Sequence, residues 1–120
     1  MDEMKLGAVE SRFADIIWRN EPLHSRDLVK LCQEELNWKK PTTYTVLRKL
    51  CERGIFQNAD GVVRAVISRE EFYAMQSERF VEETFEGSLP AFLAAFSSRK
   101  ALTAREIDEI RKMIDSYGEV

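Results

Sequence analysis

The sequence predicts a mostly α-helical protein with one small β-hairpin. Apolar residues recur at helical spacing over most of the 120 residues, and only the stretch after Gly54 changes to β-prone runs. Those runs flank Asp60-Gly61, a pair that favours the positive φ angles of a tight hairpin turn. The few glycines and prolines lie at the ends of the apolar patterns, which supports these element boundaries.

Three helices are predicted before the hairpin. The first carries an apolar stripe from Val9 that stops before Pro22, and Ser25 is the predicted N-cap of the second. Pro41 fits the first turn of the third helix, and Gly54 fits its left-handed end. The predicted inward residues are Val9, Phe13, Ile16 and Ile17 in the first helix, Leu28, Leu31 and Cys32 in the second, and Thr43, Val46, Leu47, Leu50 and Cys51 in the third.

The hairpin follows these helices directly. Its predicted strands are residues 55–58 and 62–67. Three helices followed by a two-stranded ribbon is the order of elements in a winged helix-turn-helix. Such a domain places the second helix of its helix-turn-helix in the DNA major groove. The sequence therefore predicts a winged-helix DNA-binding domain over residues 6–68.

Residues 69–120 are predicted to form a helical dimerisation domain. A capping box at Ser68 begins a long helix that runs to about Phe85, and a capping box at Thr103 begins the last helix. A short apolar helix is predicted between them. Three helices of this length bury their apolar faces poorly alone, so we expect a second copy to cover them; the alternative is that they pack on the first half as ordinary core. The candidate dimerisation residues are Phe72, Phe80, Phe85, Leu89, Phe92, Leu93, Phe96, Ile107, Ile110 and Ile114.

The net charge of −3 counts against a nucleic-acid partner when the chain is taken as a whole. The distribution of the charge changes this conclusion. Residues 1–68 net +1 and residues 69–120 net −4, while the segment 39–53 alone nets +4. The basic charge is concentrated at the third helix, which is the recognition helix of the predicted fold.

The outward side of this helix carries the side chains that we expect to contact DNA. Threonine hydroxyls and methyls can meet base edges, arginine can bind guanine or a phosphate, and lysines just before the helix can bind backbone phosphates. An arginine in the ribbon can reach a flanking phosphate. The alternative is a solvated basic helix face. The candidate DNA-binding residues are Lys39, Lys40, Thr42, Tyr44, Thr45, Arg48, Lys49 and Arg64.

Catalytic and metal-dependent functions are not expected from this sequence, and neither is a cofactor. Cys32 and Cys51 lie on predicted apolar faces as buried, reduced thiols, and His24 is expected to be a solvated loop residue. There is no Gly-rich phosphate loop. No apolar run reaches the length of a membrane span, and the first residues lack the layout of a signal peptide. We therefore expect a cytoplasmic protein without direct membrane insertion.

Three segments of the sequence carry recognisable motifs. Residues 38–54, WKKPTTYTVLRKLCERG, contain W, three residues, T, two residues, T, then L-x-x-L and K/R-G, which resembles the recognition-helix signature of the penicillinase-repressor (BlaI/MecI) family. The stretch from Leu6 through Trp18 to Pro22 resembles its opening segment, and residues 85–89, FEGSL, resemble the joint before its dimerisation helices. The resemblance covers about residues 6–117.

The resemblance implies a homodimeric repressor on a palindromic operator, released when a membrane-bound sensor-protease signals and the repressor is cut. The family's cut lies at an Asn-Phe bond before the last helix, whereas the matching pair here is Ala95-Phe96. A different protease, trigger or antirepressor is therefore the alternative. Related CopY-type copper repressors carry a cysteine-rich tail; residues 116–120 contain no cysteine, so copper sensing of that kind is not expected.

The sequence as a whole thus predicts a dimeric, sequence-specific transcriptional repressor of double-stranded operator DNA. Two alternatives stay open at this point. One is a winged-helix module that binds proteins rather than DNA. The other is a repressor that senses a small ligand in an apolar pocket among Phe72, Phe80, Phe92 and Phe96.

Overall fold

The computed structural model describes residues 5–118, which are mostly helical with one small antiparallel sheet. This confirms the predicted fold class. The elements are α1 (Ala8–Asn20), β1 (Leu23–His24), α2 (Ser25–Leu36), α3 (Lys40–Glu52), β2 (Phe56–Ala59), β3 (Val62–Ala65), α4 (Arg69–Phe85), α5 (Leu89–Arg99) and α6 (Ala104–Gly118). The chain divides into two compact units within α4. We call the described residues up to Glu78 the winged-helix unit and those from Arg79 onward the C-terminal unit.

The turn-forming residues act where the sequence predicts. Pro41 lies in the first turn of α3, where its missing N–H is not needed. Gly54 follows α3 with a φ of 81°, the left-handed conformation that ends a helix. Asp60 and Gly61 both have positive φ, 53° and 80°, and they join β2 to β3 as the predicted tight turn.

The sheet contains one strand that the sequence analysis did not predict. Its strand order is β1-β3-β2, with Leu23 opposite Val63 on one side of β3 and Gln57 opposite Arg64 on the other. Because β1 is only two residues long, no alternating pattern is visible in its sequence. This short strand ties the start of α2 to the hairpin.

The winged-helix unit has a dense apolar core. Trp18 lies at its edge, where its ring contacts Phe56 and Phe72 and its Nε1 donates to the Ile67 carbonyl at 3.0 Å. The buried apolar residues are Phe13, Ala14, Ile16, Ile17, Leu28, Cys32, Leu47, Leu50, Ile55, Phe56, Val63 and Phe72.

Phe72, which the sequence predicts to be a dimerisation residue, lies in the core of the winged-helix unit instead. Its relative exposure is 0%, and its ring packs against Trp18 and Tyr73 in the winged-helix unit. It therefore has no surface to offer to a second copy. The ordinary-core alternative holds for this residue.

The N-cap of α2 differs from the predicted one. His24, not Ser25, is the N-cap, because its Nδ1 accepts a hydrogen bond from the Arg26 amide at 3.2 Å. Ser25 is the first helical residue, and its side chain is buried at 6% exposure. The histidine is thus part of the fold rather than a solvated loop residue.

The C-terminal unit has well-defined helix ends. Ser88 caps α5 through a hydrogen bond to its side chain from the Ala91 amide. Thr103 and Glu106 form the complete capping box before α6, with reciprocal hydrogen bonds of 2.9 and 3.0 Å. No residue of α5 or α6 is buried.

Candidate nucleic-acid interface

Helices α2 and α3 form the helix-turn-helix, and their packing sets which side of α3 faces outward. Thr43, Leu47 and Leu50 of α3 are buried, with at most 1% exposure. Asn37 ends α2 in the left-handed conformation at a φ of 57°, which reverses the chain toward α3. The remaining α3 positions that the sequence places outward, Thr42, Thr45, Arg48 and Lys49, are exposed, and so are Lys39 and Lys40.

The N-terminal end of α3 is suited to a phosphate. Its N-cap, Lys39, provides no side-chain hydrogen bond to the first backbone amides. Lys40 and Lys39 are exposed and make no ion pair with another described residue. Unsatisfied amides and the positive end of the helix dipole favour an anion, and the two lysines add charge. A lysine in place of the usual Ser, Thr, Asp or Asn at this N-cap is the sequence signal for this feature.

Thr45 has a restricted hydrogen-bonding role. Its Oγ1 donates to the Pro41 carbonyl at 2.9 Å, which uses the hydroxyl hydrogen within the helix. The oxygen still accepts, and the exposed side chain retains its methyl group. Thr45 is therefore suited to accept from adenine or cytosine amino groups or to contact a thymine methyl.

The sequence places Tyr44 on the outward side of α3, but in the structure its hydroxyl is directed inward. It is half-buried, and its hydroxyl donates to Ser25 Oγ at 3.1 Å. The hydroxyl is directed into the helix-turn-helix rather than toward solvent. The structure thus gives Tyr44 an internal partner that sequence periodicity does not reveal.

Lys49 and Arg53 both face Glu10 of α1. The Lys49 Nζ lies 2.8 Å from Glu10 Oε2, and the Arg53 Nη1 lies 3.8 Å from Glu10 Oε1. The hydrogen bond from Lys49 holds the pKa of the Glu10 carboxyl below its usual 4.5, and the charges of both cations act in the same direction. Part of the +4 charge of segment 39–53 is therefore neutralised inside the molecule, and Lys49 is less available to DNA than the sequence suggests.

The hairpin carries a further basic side chain. Arg64 lies on β3 and is exposed. Between α3 and the hairpin, Arg48 shares a shallow depression with Tyr44, Leu47, Cys51 and Asn58. Arg48 makes no ion pair with another described residue, so its guanidinium is available for a ligand.

The two thiols have different surroundings. Burial raises the pKa of Cys32 to about 11, and Cys32 has 0% exposure. Cys51 is only half-buried, which corrects the expectation that both are buried, and burial also raises its pKa. Neither is activated as a nucleophile by a lowered pKa.

Among residues 5–118, no cluster of three or more His, Cys, Asp or Glu side chains could hold a metal ion. In the same part of the chain, no helix is both long and apolar enough to cross a membrane.

The predicted dimerisation residues other than Phe72 lie on the surface of the C-terminal unit or at the end of α4. Phe80, Phe85, Phe92 and Phe96 contact one another in series, with ring centroids 5.7 to 6.2 Å apart. The most exposed are Phe80, Leu89, Phe96 and Ile114, at 45% to 57% exposure, while Phe85, Phe92, Leu93, Ile107 and Ile110 are half-buried.

A family model described as the penicillinase repressor matches residues 6–116 of this chain. The chain belongs to the penicillinase repressor family. It is similar to the penicillinase repressor of Bacillus licheniformis, with 19% identity over 94% of this chain and 91% of that protein. It is also similar to the methicillin resistance regulatory protein MecI of Staphylococcus epidermidis, with 18% identity over 92% of this chain and 94% of that protein.

Membership of the family supports a role in transcriptional repression. The match extends through both compact units, so the helix-turn-helix and the C-terminal helices belong to one family architecture. The relatives are named as regulatory proteins rather than enzymes, in line with the expectation from the sequence.

Proposed function

We propose that this protein is a cytoplasmic homodimeric repressor that binds a palindromic operator through α3 of each protomer. The observation that carries the proposal is the outward face of α3, where Thr42, Thr45 and Arg48 are exposed beside two lysines. A helix of this kind enters the major groove, and a symmetric dimer matches two half-sites about one helical turn, or a multiple of it, apart. Bound protein would block transcription sterically.

The interface residues have distinct roles in this proposal. Lys39 and Lys40 bind phosphates at the amino end of α3 and hold the register. Thr42, Thr45 and Arg48 face base edges. Arg64 reaches a flanking phosphate from the hairpin. Lys49 contributes less than the other basic residues, because the carboxylate of Glu10 offsets its charge.

Dimerisation through the C-terminal unit is the second part of the proposal. Leu89, Phe96 and Ile114 expose 45% to 57% of their surface, and the unit has no buried residue among those described. A second copy would cover these side chains, which is the commonest arrangement for a soluble oligomer. The −4 charge of residues 69–120 would keep this half away from the phosphates.

Release from the operator is proposed to follow a signal from a membrane-bound sensor-protease or another antirepressor. Ala95 and Phe96, which match the family's cut site, lie inside α5 and are exposed. A protease needs an extended segment, so cutting here requires α5 to open locally. Intact mass of the protein before and after induction tests cleavage, and an uncut protein that leaves the operator would favour an antirepressor.

A salt titration tests DNA binding directly. Affinity of the purified protein for its own upstream DNA should fall steeply as salt rises, because binding releases counterions. Lys40→Ala should weaken binding to every sequence and flatten the logarithmic salt slope by about 0.9 per protomer. Lys112→Ala on α6 is the control and should leave the slope unchanged. Absence of salt-dependent binding would instead favour a protein-interaction module.

Base reading is tested by substituting Thr45. Thr45→Ala removes both the acceptor oxygen and the methyl group, and it should lose discrimination between operator and random DNA while the dimer persists. Thr45→Val keeps a methyl group and removes the hydroxyl, so it separates the two contacts. Full operator preference in Thr45→Ala would show that the reading face has been assigned wrongly.

A further inference from the structure

The start of α2 joins three parts of the winged-helix unit through one residue. Ser25 is one of only two buried polar residues among those described. Its backbone amide donates to the Gly61 carbonyl in the hairpin turn at 2.7 Å, and its Oγ accepts from the Tyr44 hydroxyl of α3 at 3.1 Å. The hairpin turn and α3 are thus both hydrogen-bonded to Ser25.

His24 adds further contacts between the start of α2 and the hairpin. It pairs with Val62 in the sheet, and its Nδ1 caps α2. Its Nε2 lies 2.9 Å from the position that a Cβ at Gly61 would occupy, so the ring fills the space beneath the turn. Gly61 is required there twice, because its φ is 80° and because a side chain would meet the imidazole.

The Tyr44 hydroxyl supplies the link to α3. Tyr44 precedes Thr45 in the chain and lies one turn before Arg48, on the half-buried side of the helix. A hydrogen bond at this position resists rotation of α3 about its axis relative to the hairpin. Such a rotation would change the direction of Thr45 and Arg48 relative to the hairpin.

We propose that the Ser25–Tyr44 hydrogen bond is a positioning device that sets operator discrimination by fixing α3 relative to the hairpin. The inference rests on the proposed DNA-binding function. It assigns Tyr44 an indirect role, because its hydroxyl acts on the geometry of the reading face and does not touch DNA. Phosphate contacts tolerate small rotations better than base contacts do, since they depend less on direction.

The test compares Tyr44→Phe, Ser25→Ala and the double variant with wild type on operator and random DNA. Tyr44→Phe removes one oxygen atom and keeps the ring. The expected loss of operator affinity is about three- to tenfold, the range that the net energy of one hydrogen bond allows when binding must restore the orientation of α3, with random-DNA affinity and salt slope unchanged. The double variant should lose no more than the single ones, because all three break the same bond.

Tyr73→Phe is the matched control, because it removes a tyrosine hydroxyl from a ring that packs on Trp18. It should keep wild-type discrimination. Equal losses on operator and random DNA in Tyr44→Phe would mean that the hydroxyl contacts phosphate, and additive effects of the two single variants would mean that the bond is not the cause. Either result overturns the proposal, as does unchanged operator preference.

A measurement without DNA separates this proposal from the proposed function. In the free protein, Tyr44→Phe should shift the amide NMR signals of Gly61 and Arg64, while Tyr73→Phe should leave them in place. Suppose that the hairpin NMR signals shift but the wild-type protein does not bind DNA. This result would contradict the repressor function and would still support the coupling of α3 to the hairpin through Ser25 and Tyr44. Unshifted hairpin signals would overturn the coupling itself.

Discussion

The two compact units differ in how they treat apolar side chains. The winged-helix unit buries twelve apolar residues, while no described residue of the C-terminal unit, 79–118, is buried. Both units are helical and contain aromatic clusters. Helix formation and apolar composition therefore do not by themselves produce a core.

The difference indicates which interactions stabilise each unit. In the winged-helix unit, the first three helices, the three strands and the start of α4 all contribute side chains to one core, so burial is completed within one chain. In the C-terminal unit, α6 directs the ion pairs Arg105–Glu109 and Lys112–Asp108 to solvent and leaves Ile114 exposed. Apolar burial in this unit is left for a second copy, as proposed above.

The largest effect is expected from removing a core ring. Phe72→Ala should destabilise the protein by about 3–5 kcal/mol, because it leaves a cavity beside Trp18. Phe96→Ala, at a residue 45% exposed, should cost far less at low protein concentration. Urea denaturation followed by circular dichroism measures both. Equal costs for the two variants at low concentration would remove the distinction between the units.

A charge on the apolar face of α6 is the next largest change. Ile114→Glu should raise the dimer dissociation constant about 100-fold or more, because a carboxylate would be buried without a partner. Lys112→Gln makes the same change in net charge at a residue in a solvent-facing ion pair and should leave dimerisation intact. Sedimentation velocity over a range of concentrations measures this. An unchanged dissociation constant would place the dimer contact elsewhere.

Helix caps allow a finer comparison of the units. Ser68 accepts from the Glu71 amide at the start of α4, and Thr103 accepts from the Glu106 amide at the start of α6, both at 3.0 Å. Alanine at either position should cost about 1 kcal/mol. At a protein concentration low enough to keep the protein monomeric, we expect Thr103→Ala to lower helicity below the unfolding transition, since no residue of α6 is buried within its own chain. Ser68→Ala should only shift the transition. Far-ultraviolet circular dichroism distinguishes the two responses.

The smallest expected effect is the pH dependence of the Glu10 contacts. Because the folded-state pKa of Glu10 is lowered, its contribution to stability is present above the usual value of 4.5 and is lost as the pH falls through the lowered value. Glu10→Gln should therefore be slightly less stable than wild type at pH 7, and the difference should vanish in acid. Glu52→Gln is the control on α3. A difference that grows in acid would contradict the assigned cause.

Local signals predicted most of the fold because they act over a few residues. Pro41, Gly54 and Asp60-Gly61 restrict backbone angles directly, and the apolar stripes of α1 and α3 are visible at helical spacing. The two-residue strand β1 was missed, since its pairing with β3 joins residues about 40 positions apart. His24 was missed as the cap because histidine is not among the usual capping residues.

The candidate site was predicted less completely than the fold. Exposure of Thr42, Thr45 and Arg48 followed from the period of α3, and the described surface agrees. The partners of Tyr44 and Lys49 did not follow, because Ser25 and Glu10 are distant in the chain and come close only through packing. A helical pattern shows which side of a helix is apolar, but it does not show what meets the edges of that side.

The sequence by itself determined the element order, the turns, the basic reading helix and the resemblance to a repressor family. Only the tertiary structure decided that Phe72 belongs to the winged-helix core, that Tyr44 is directed inward and that Lys49 is paired. The physical reason is the range of the interactions. Backbone preferences and periodicity are local, whereas burial, ion pairing and hydrogen bonding between elements depend on which distant residues become neighbours.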